Sequence, residues 1–194
     1  MDACALQIGG VMTEMEGTWT RGDWMQTFTG RKFYPLSPQA DEIDPVDIAH
    51  ALSLLCRYGG HVDRFYSVAE HCVLMSHAVS PDHALWALLH DATEAYVVDV
   101  PRPLKRSLPE YQAVEEKVMV AIAEKFGLSM PMPTEVKDAD NRILLTERNI
   151  LMASTRERWA QEDLVPLLVT INGWLPSQAE YYYTERLMEL TTDD

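Results

Sequence analysis

The sequence is poor in positive charge: sixteen Lys and Arg residues stand against thirty Asp and Glu, a formal net charge of −14. A protein that binds a nucleic-acid polymer needs a positive surface to neutralise the phosphates. The charge balance therefore argues against broad nucleic-acid binding. It also constrains any small anionic ligand, because the few cations must then be concentrated at its site or a metal ion must assist them.

Cysteine is equally scarce, since the chain holds only Cys4, Cys56 and Cys72 and no C-x-x-C pair. An odd number of widely spaced cysteines is typical of free thiols in a reducing compartment, which predicts a cytoplasmic location. Long apolar runs are missing too: no segment approaches the roughly 18 residues of a membrane span, and the N-terminus lacks a signal-peptide pattern. We therefore expect no association with a membrane.

The composition is that of a globular protein, because 47% of the 194 residues are hydrophobic, enough for one core. Residues 1–17 show no periodicity and are predicted to be a flexible leader. Residues 18–194 are predicted to form a single domain. Aromatic and β-branched residues surround Thr29-Gly30, which predicts a small N-terminal hairpin.

Helical signals dominate the rest of the chain and predict an all-α bundle of about six helices. Four of them begin at a capping residue or a proline, and two are expected to end at glycine. The predicted helices are Asp44-Pro45 to about Arg57, ended by Gly59-Gly60; one from Ser67; one from Ser80-Pro81 that stops before Pro101; about Glu110 to Phe126, followed by Gly127; Glu135 to about Arg158; and a last one capped by Ser177 and Glu180.

His90 is the only one of the six histidines that is followed directly by a carboxylate, Asp91. The doublet follows the apolar run 84–89, where a buried polar pair must be hydrogen-bonded or bound to a metal. A core histidine beside a solvent-facing Asp91 is the alternative. Glu94 comes about one helical turn later and could act as a general acid or base.

A short basic segment follows, in which Asp99 precedes Pro101-Arg-Pro-Leu-Lys-Arg106. Its three cations are Arg102, Lys105 and Arg106, and no acidic residue lies between them. Such a group can bind phosphate, and a solvated basic turn is the alternative.

Four motifs together resemble the HD-domain metal-dependent phosphohydrolases, most closely the bacterial 5′-deoxynucleotidases and the small phage dNTP triphosphohydrolases. The resemblance covers about residues 40–158, and the ordered set is more specific than any one doublet. In chain order, the motifs are His71 within Ser67-Val-Ala-Glu-His, His90-Asp91 with Ala92-Thr-Glu94, Asp99-Val-Pro-Arg-Pro-Leu-Lys105, and Lys137-Asp-Ala-Asp140.

The resemblance implies a compact helical HD domain that holds one divalent metal ion, Co, Mn, Zn, Fe or Mg. It also implies roles for particular residues, and Asp138 is the alternative to Asp140 as a ligand. The implied metal ligands are His71, His90, Asp91 and Asp140; the implied catalytic residues are Glu94 and Asp99; the candidates for phosphate binding are Arg57, His61, Arg102 and Lys105.

The implied activity is hydrolysis of the 5′-phosphoester of 2′-deoxynucleoside 5′-phosphates. A dNMP would yield deoxynucleoside and phosphate, and a dNTP such as dATP would yield deoxynucleoside and triphosphate. Two alternatives remain open: an HD hydrolase of a signalling nucleotide, and a catalytically inert binding module stabilised by metal. Apolar residues in the last helix further predict a homo-oligomer, namely Tyr181, Tyr182, Leu187 and Met188.

Overall fold

A computed structural model of the protein describes residues 21–160 and 163–192, and most of these are helical, which confirms the all-α class. The predicted hairpin is present, because β1 (Met25–Gln26) pairs antiparallel with β2 (Lys32–Phe33). The predicted leader, residues 1–17, lies outside the described residues.

The helices of the described chain follow the hairpin in sequence, and 3₁₀ turns lie at Ala40–Glu42, Arg57–Gly60 and Pro81–His83. The α-helices are α1 (Pro45–Leu54), α2 (Val68–Ala78), α3 (Ala84–Leu89), α4 (Glu94–Val97), α5 (Arg102–Lys105), α6 (Pro109–Phe126), α7 (Thr134–Leu151) and α8 (Pro176–Thr191).

Three local signals predicted from the sequence are confirmed. The Asp44 carboxylate accepts the Val46 N–H at 2.9 Å and caps α1. The Ser67 hydroxyl oxygen accepts the Glu70 N–H at 3.0 Å and caps α2. Gly127 ends α6 with φ of 67°, a left-handed conformation that glycine adopts without a steric cost.

The first predicted helix is shorter than expected, because α1 ends at Leu54 and not near Arg57. The next residues pair with the chain before α2: the Val68 N–H donates to the Leu55 carbonyl at 3.0 Å, and the Arg57 N–H to the Tyr66 carbonyl at 2.9 Å. These contacts with the later segment satisfy backbone groups that a longer α1 would have bonded within the helix.

The third predicted helix is not continuous, because a turn at His90–Thr93 separates α3 from α4. The His90 Nδ1–H donates to the Ala87 carbonyl at 2.8 Å, an oxygen that a continuing helix would offer to the Asp91 N–H. Tighter bonds follow, with the Glu94 N–H donating to the Asp91 carbonyl at 3.0 Å. The α-helical hydrogen-bond pattern is therefore interrupted at the His90-Asp91 doublet.

The predicted ends of the last two helices also need correction. α7 ends at Leu151 and not near Arg158, because its last carbonyl accepts the Asp63 N–H at 2.8 Å and the chain then becomes extended. α8 begins at Pro176, so Ser177 is inside the helix. The Gln178 side chain, and not Glu180, accepts the N–H of the preceding Leu175 at 3.1 Å.

α2 lies at the centre of the bundle, where it contacts α1, α3, α7 and α8. Its first half belongs to the main core cluster with the fully buried Ile48, Leu88 and Tyr183, and Met75 in its second half belongs to a second cluster. Most residues of α2 are therefore buried, among them His71. Among the described residues, no helix combines the length and apolar character required to cross a bilayer.

Candidate metal centre and active site

Two histidines face each other at the centre of the bundle. His71 on α2 is fully buried, and its Nε2 lies 3.2 Å from the Nε2 of His90, in the turn after α3. The Nδ1 of His71 contacts Glu147 at 2.6 Å, and that of His90 contacts the Ala87 carbonyl at 2.8 Å. Both partners are acceptors, so each Nδ1 carries the hydrogen. In its neutral form, each ring therefore has its lone pair on the Nε2 that faces the other ring.

Two carboxylates complete the cluster. The Asp91 Oδ2 lies 3.3 Å from the His90 Nε2 and 3.6 Å from the His71 Nε2. From α7, the Asp140 Oδ1 lies 3.8 Å from the His71 Nε2. Asp138 is more exposed and lies 3.5 Å from Arg142 on its own helix. The four ligands implied by the resemblance are thus brought together, and Asp138 is not among them.

The spacing of these atoms suits one metal ion. With Zn–N bonds of about 2.0–2.1 Å, ligand atoms around a tetrahedral ion lie roughly 3.3 Å apart. Here the His71 Nε2 lies 3.2 to 3.8 Å from the ligand atoms of His90, Asp91 and Asp140, and the His90 Nε2 lies 3.3 Å from that of Asp91. His71, His90 and Asp140 each offer an atom within 4.8 Å of the others, and so do Cys72, His90 and Asp91. Two imidazole nitrogens with carboxylate oxygens suit Mn, Fe, Co or Zn better than Ca.

A proton competes with a metal ion at this position. Burial opposes the protonation of His90, but the adjacent Asp91 carboxylate outweighs it and raises the pKa of the imidazole well above its usual range. A cation at the cluster would replace that proton, because a histidine ligand must be neutral to bind metal.

Glu147 on α7 is part of the site, and no prediction from the sequence included it. Its carboxylate is fully buried and accepts hydrogen bonds from His71, Tyr66, Arg57 and Tyr58. Burial alone would raise its pKa, but the charges of Arg57 and His71 outweigh that effect and lower it to about 2. The carboxylate therefore remains charged inside the protein.

The spacing between Glu147 and Asp140 is a sequence signal that could have identified Glu147 as part of the site. The two residues are seven positions apart, or about two helical turns, so they share one face of α7. The apolar residues Ile143, Leu144 and Leu151 lie on or beside that face and are buried. A carboxylate within such an apolar stripe has to be paired, which marks Glu147 as a residue with a buried partner.

Glu94 and Asp99, the two predicted catalytic carboxylates, have different surroundings. Glu94 is buried, and its Oε2 has no hydrogen-bond partner among the described residues. Burial, together with the charges of Asp91 and Asp99, raises the pKa of the Glu94 carboxyl well above its usual range. Asp99 is half-buried and makes no hydrogen bond or ion pair within the described chain. Unpartnered buried polar atoms often mark the place of a water or a ligand.

Three of the four predicted phosphate-binding residues already face carboxylates. Arg57 lies 3.2 Å from both Asp91 and Glu147, and its buried Nε has no partner in the described structure. Arg102 donates to Asp140, and Lys105 donates to Glu115 at 2.7 Å.

His61 is the predicted phosphate-binding residue that the structure does not bring to the cluster. Its side chain is exposed, and no hydrogen bond or ion pair joins it to the described site residues. Its position in the chain, after the 3₁₀ turn at Arg57–Gly60, leaves it outside the buried network that holds Arg57.

A cavity of about 310 Å³ adjoins the cluster on the side of His90. Its lining combines apolar side chains with a few polar groups, which is typical of small-molecule sites. The lining residues are Trp86, His90, Thr93, Gln112, Glu115, Glu116, Met119, Met130 and Met132.

No family model matches the sequence. The chain is 42% identical over 170 residues to the uncharacterized protein YfdR of Escherichia coli K12, a match that covers 87% of this chain and 96% of that protein. An uncharacterized protein of Rhodobacter capsulatus is 32% identical over 126 residues, covering 60% of this chain and 64% of that protein. Neither name states an activity. Because the first match spans nearly all of both proteins, the chain belongs to the family of YfdR.

Proposed function

We propose that this protein is a metal-dependent phosphohydrolase that cleaves the 5′-phosphoester of 2′-deoxynucleoside 5′-monophosphates. The observation that carries the proposal is the convergence of four side chains: the His71 Nε2 lies within 3.8 Å of the His90 Nε2 and of an oxygen of both Asp91 and Asp140. Beside them is the buried Glu94, whose Oε2 has no hydrogen-bond partner among the described residues. The motif order in the sequence, which resembles the HD phosphohydrolases, supports the same chemistry.

In such a reaction, different residues of the site would bind the metal, stabilise charge and transfer protons. His71, His90, Asp91 and Asp140 would hold a divalent ion, which would supply Lewis acidity and make a bound water more acidic. Arg57 holds Asp91 in place and adds a fixed positive charge where negative charge develops on the phosphoryl group. Glu94, whose burial favours its protonated form, donates a proton to the departing 5′-oxygen. Asp99, a second carboxylate near Glu94, accepts the proton that the attacking water loses as its oxygen bonds to phosphorus and the bond to the 5′-oxygen breaks.

The distribution of positive charge favours a monophosphate over a triphosphate. Arg57 faces two carboxylates, and Arg102 and Lys105 face one each, so little positive charge is left for phosphates beyond the first. A triphosphate brings further negative charge, which would require cations beyond the first phosphate. Hydrolysis of dNTPs to triphosphate is accordingly the second candidate.

The cavity beside His90 supports a nucleoside as the group that carries the phosphate. Its volume of about 310 Å³ is at the lower end of the pockets that bind small molecules, about 300–1,000 Å³. Trp86 and the three methionines offer flat or adaptable apolar surface to a base, and Glu115 and Glu116 offer acceptors to its amino groups. We place the base and sugar in this cavity.

The test is an activity screen on the full-length protein. Protein treated with a chelator is reloaded with Mn²⁺, Co²⁺, Zn²⁺ or Mg²⁺ and incubated with each dNMP, dNTP and NMP, while the release of nucleoside, phosphate and triphosphate is followed. We expect phosphate release from dNMPs with at least one metal. The absence of hydrolysis with every metal and nucleotide would refute the proposal, and triphosphate release would favour the second candidate.

A variant separates an enzyme from an inert metal-binding module. Glu94→Gln keeps the size of the side chain and removes its exchangeable acid, so we expect turnover to fall about 10²- to 10⁴-fold while metal binding is unchanged. Glu124→Gln, at an exposed position on α6, is the matched control and should retain wild-type turnover. An inert module would bind metal and melt at a higher temperature with it, yet show no turnover in any of the three proteins.

A further inference from the structure

Glu147 is the most heavily bonded buried carboxylate among the described residues, and its two oxygens face different parts of the site. Its Oε1 accepts hydrogen bonds from His71 Nδ1 at 2.6 Å and from the Tyr66 hydroxyl at 2.9 Å. Its Oε2 accepts from Arg57 Nη2 at 3.2 Å and from the Tyr58 hydroxyl. With no exposed surface, the carboxylate exchanges none of these donors for water without local opening.

The two imidazoles of the cluster differ in what holds their outer nitrogen. His90 Nδ1–H donates to a backbone carbonyl, which is neutral, whereas His71 Nδ1–H donates to the Glu147 carboxylate, which is charged. A carboxylate partner fixes the tautomer of a ligating imidazole and makes its other nitrogen a stronger donor to a metal. His71 should therefore be the stronger of the two imidazole ligands.

Glu147 also reaches the cluster by a second route. Arg57 bridges the Glu147 carboxylate and the Asp91 carboxylate, each at 3.2 Å, and Asp91 lies beside both histidines. One buried side chain on α7 thus orients ligand candidates on α2 and in the turn after α3. Truncating Glu147 would remove the hydrogen-bond acceptor of both the His71 Nδ1–H and the Arg57 guanidinium.

We propose that Glu147 is a positioning residue of the metal centre, which fixes the His71 ring with Nε2 towards the metal and, through Arg57, the carboxylate of Asp91. The inference rests on the metal site of the proposed function and adds to it the residue that sets the affinity of that site. Outer partners of this kind change metal affinity by about 10- to 100-fold when they are removed.

The test compares Glu147→Gln with Glu70→Gln and the wild type by Co²⁺ and Zn²⁺ titration calorimetry on chelator-treated protein. Glu70 is the matched control because it is also a fully buried carboxylate, but its partners are the backbone N–H groups of residues 172–174. We expect the metal Kd to rise about 10- to 100-fold in Glu147→Gln and to stay within threefold of wild type in Glu70→Gln. The Co²⁺ absorption bands should shift in the first variant alone. An unchanged Kd in folded Glu147→Gln would overturn the inference.

A measurement on the wild-type protein covers the case in which Glu147→Gln does not fold. In a two-dimensional ¹H–¹⁵N spectrum of the histidine rings of Zn²⁺-loaded protein, we expect His71 to keep its proton on Nδ1 and to show a coordinated Nε2. A coordinated Nδ1 would overturn the inference.

These outcomes are distinct from those of the proposed function. If Glu147→Gln binds metal more weakly and the wild type hydrolyses no nucleotide, the proposed function is refuted and the positioning role is supported. If the wild type hydrolyses nucleotides and Glu147→Gln binds metal with the same affinity, the positioning role is refuted and the proposed function is supported.

Discussion

Removing the Glu70 carboxylate should be among the most damaging single changes outside the metal cluster. Glu70 lies on α2 directly before His71 and is fully buried. Its Oε1 accepts the N–H groups of Asn172 at 2.7 Å and Gly173 at 3.0 Å, and its Oε2 accepts that of Trp174 at 2.7 Å. The carboxylate is therefore the acceptor that ties the segment before α8 to the central helix.

The expected loss in the free energy of unfolding follows from those three hydrogen bonds. A hydrogen bond to a charged group contributes about 1.5–3 kcal/mol net, so three of them give an upper bound of about 4.5–9 kcal/mol. Local opening of the segment limits the loss, because water can then reach the N–H groups. Opening also exposes Ile171 and Leu167, which are otherwise buried. We expect Glu70→Ala to lower the free energy of unfolding by about 3–5 kcal/mol, and Glu70→Gln, which keeps one acceptor oxygen, by less.

The assay is urea unfolding followed by far-UV circular dichroism, combined with amide hydrogen exchange. In Glu70→Ala, we expect the amides of Asn172, Gly173 and Trp174 to lose protection first. Glu185→Ala, at an exposed position on α8, is the control and should change the free energy of unfolding by less than about 0.5 kcal/mol. A loss below about 1 kcal/mol in Glu70→Ala, with protection of residues 172–174 unchanged, would refute the reasoning.

Two further predictions concern backbone strain and thiol burial. Val98, just before Asp99, has φ of 69°, which is unfavourable for a β-branched residue. Val98→Gly should therefore raise the melting temperature, whereas Val120→Gly, in the middle of α6, should lower it by about 2–4 °C; a similar drop in both would contradict the strain. Cys72 is fully buried, and burial raises the pKa of its thiol to about 11. In native protein at pH 8, iodoacetamide should modify the partly exposed Cys56 and spare Cys72 until denaturant is added, as mapped by mass spectrometry; modification of both at equal rates would contradict the burial.

Most helix starts were predictable because they depend on a few neighbouring residues. The caps at Asp44 and Ser67 each bond a backbone N–H two or three residues ahead, and Gly127 ends α6 through its own backbone conformation. The order of the four motifs likewise identified the residues that meet in the cluster, although their roles as ligands stay a prediction. At the start of α2, Ser67 and Glu70 have the spacing of a capping box, but only the Glu70 N–H takes part in the cap, because its carboxylate binds residues 172–174.

Helix ends were less predictable because partners elsewhere in the chain decide them. α1 ends where residues 55–57 pair with residues 66–68, and α7 ends where the Leu151 carbonyl accepts a bond from Asp63. The break after α3 depends on the ring of His90 bonding the Ala87 carbonyl. Local propensity favours a longer helix in each case, and these competing hydrogen bonds override it.

The sequence by itself determined the helical class, the small hairpin and the candidate ligand set, because periodicity, capping and motif order are local or ordered along the chain. Only the tertiary structure decided the environment of that set. Glu147 meets His71 from 76 positions away, and Arg102 meets Asp140 from 38. Charge pairing across such separations depends on how helices pack and not on local pattern. Packing thus places Arg57 and Arg102 against carboxylates beside one buried pair of histidines.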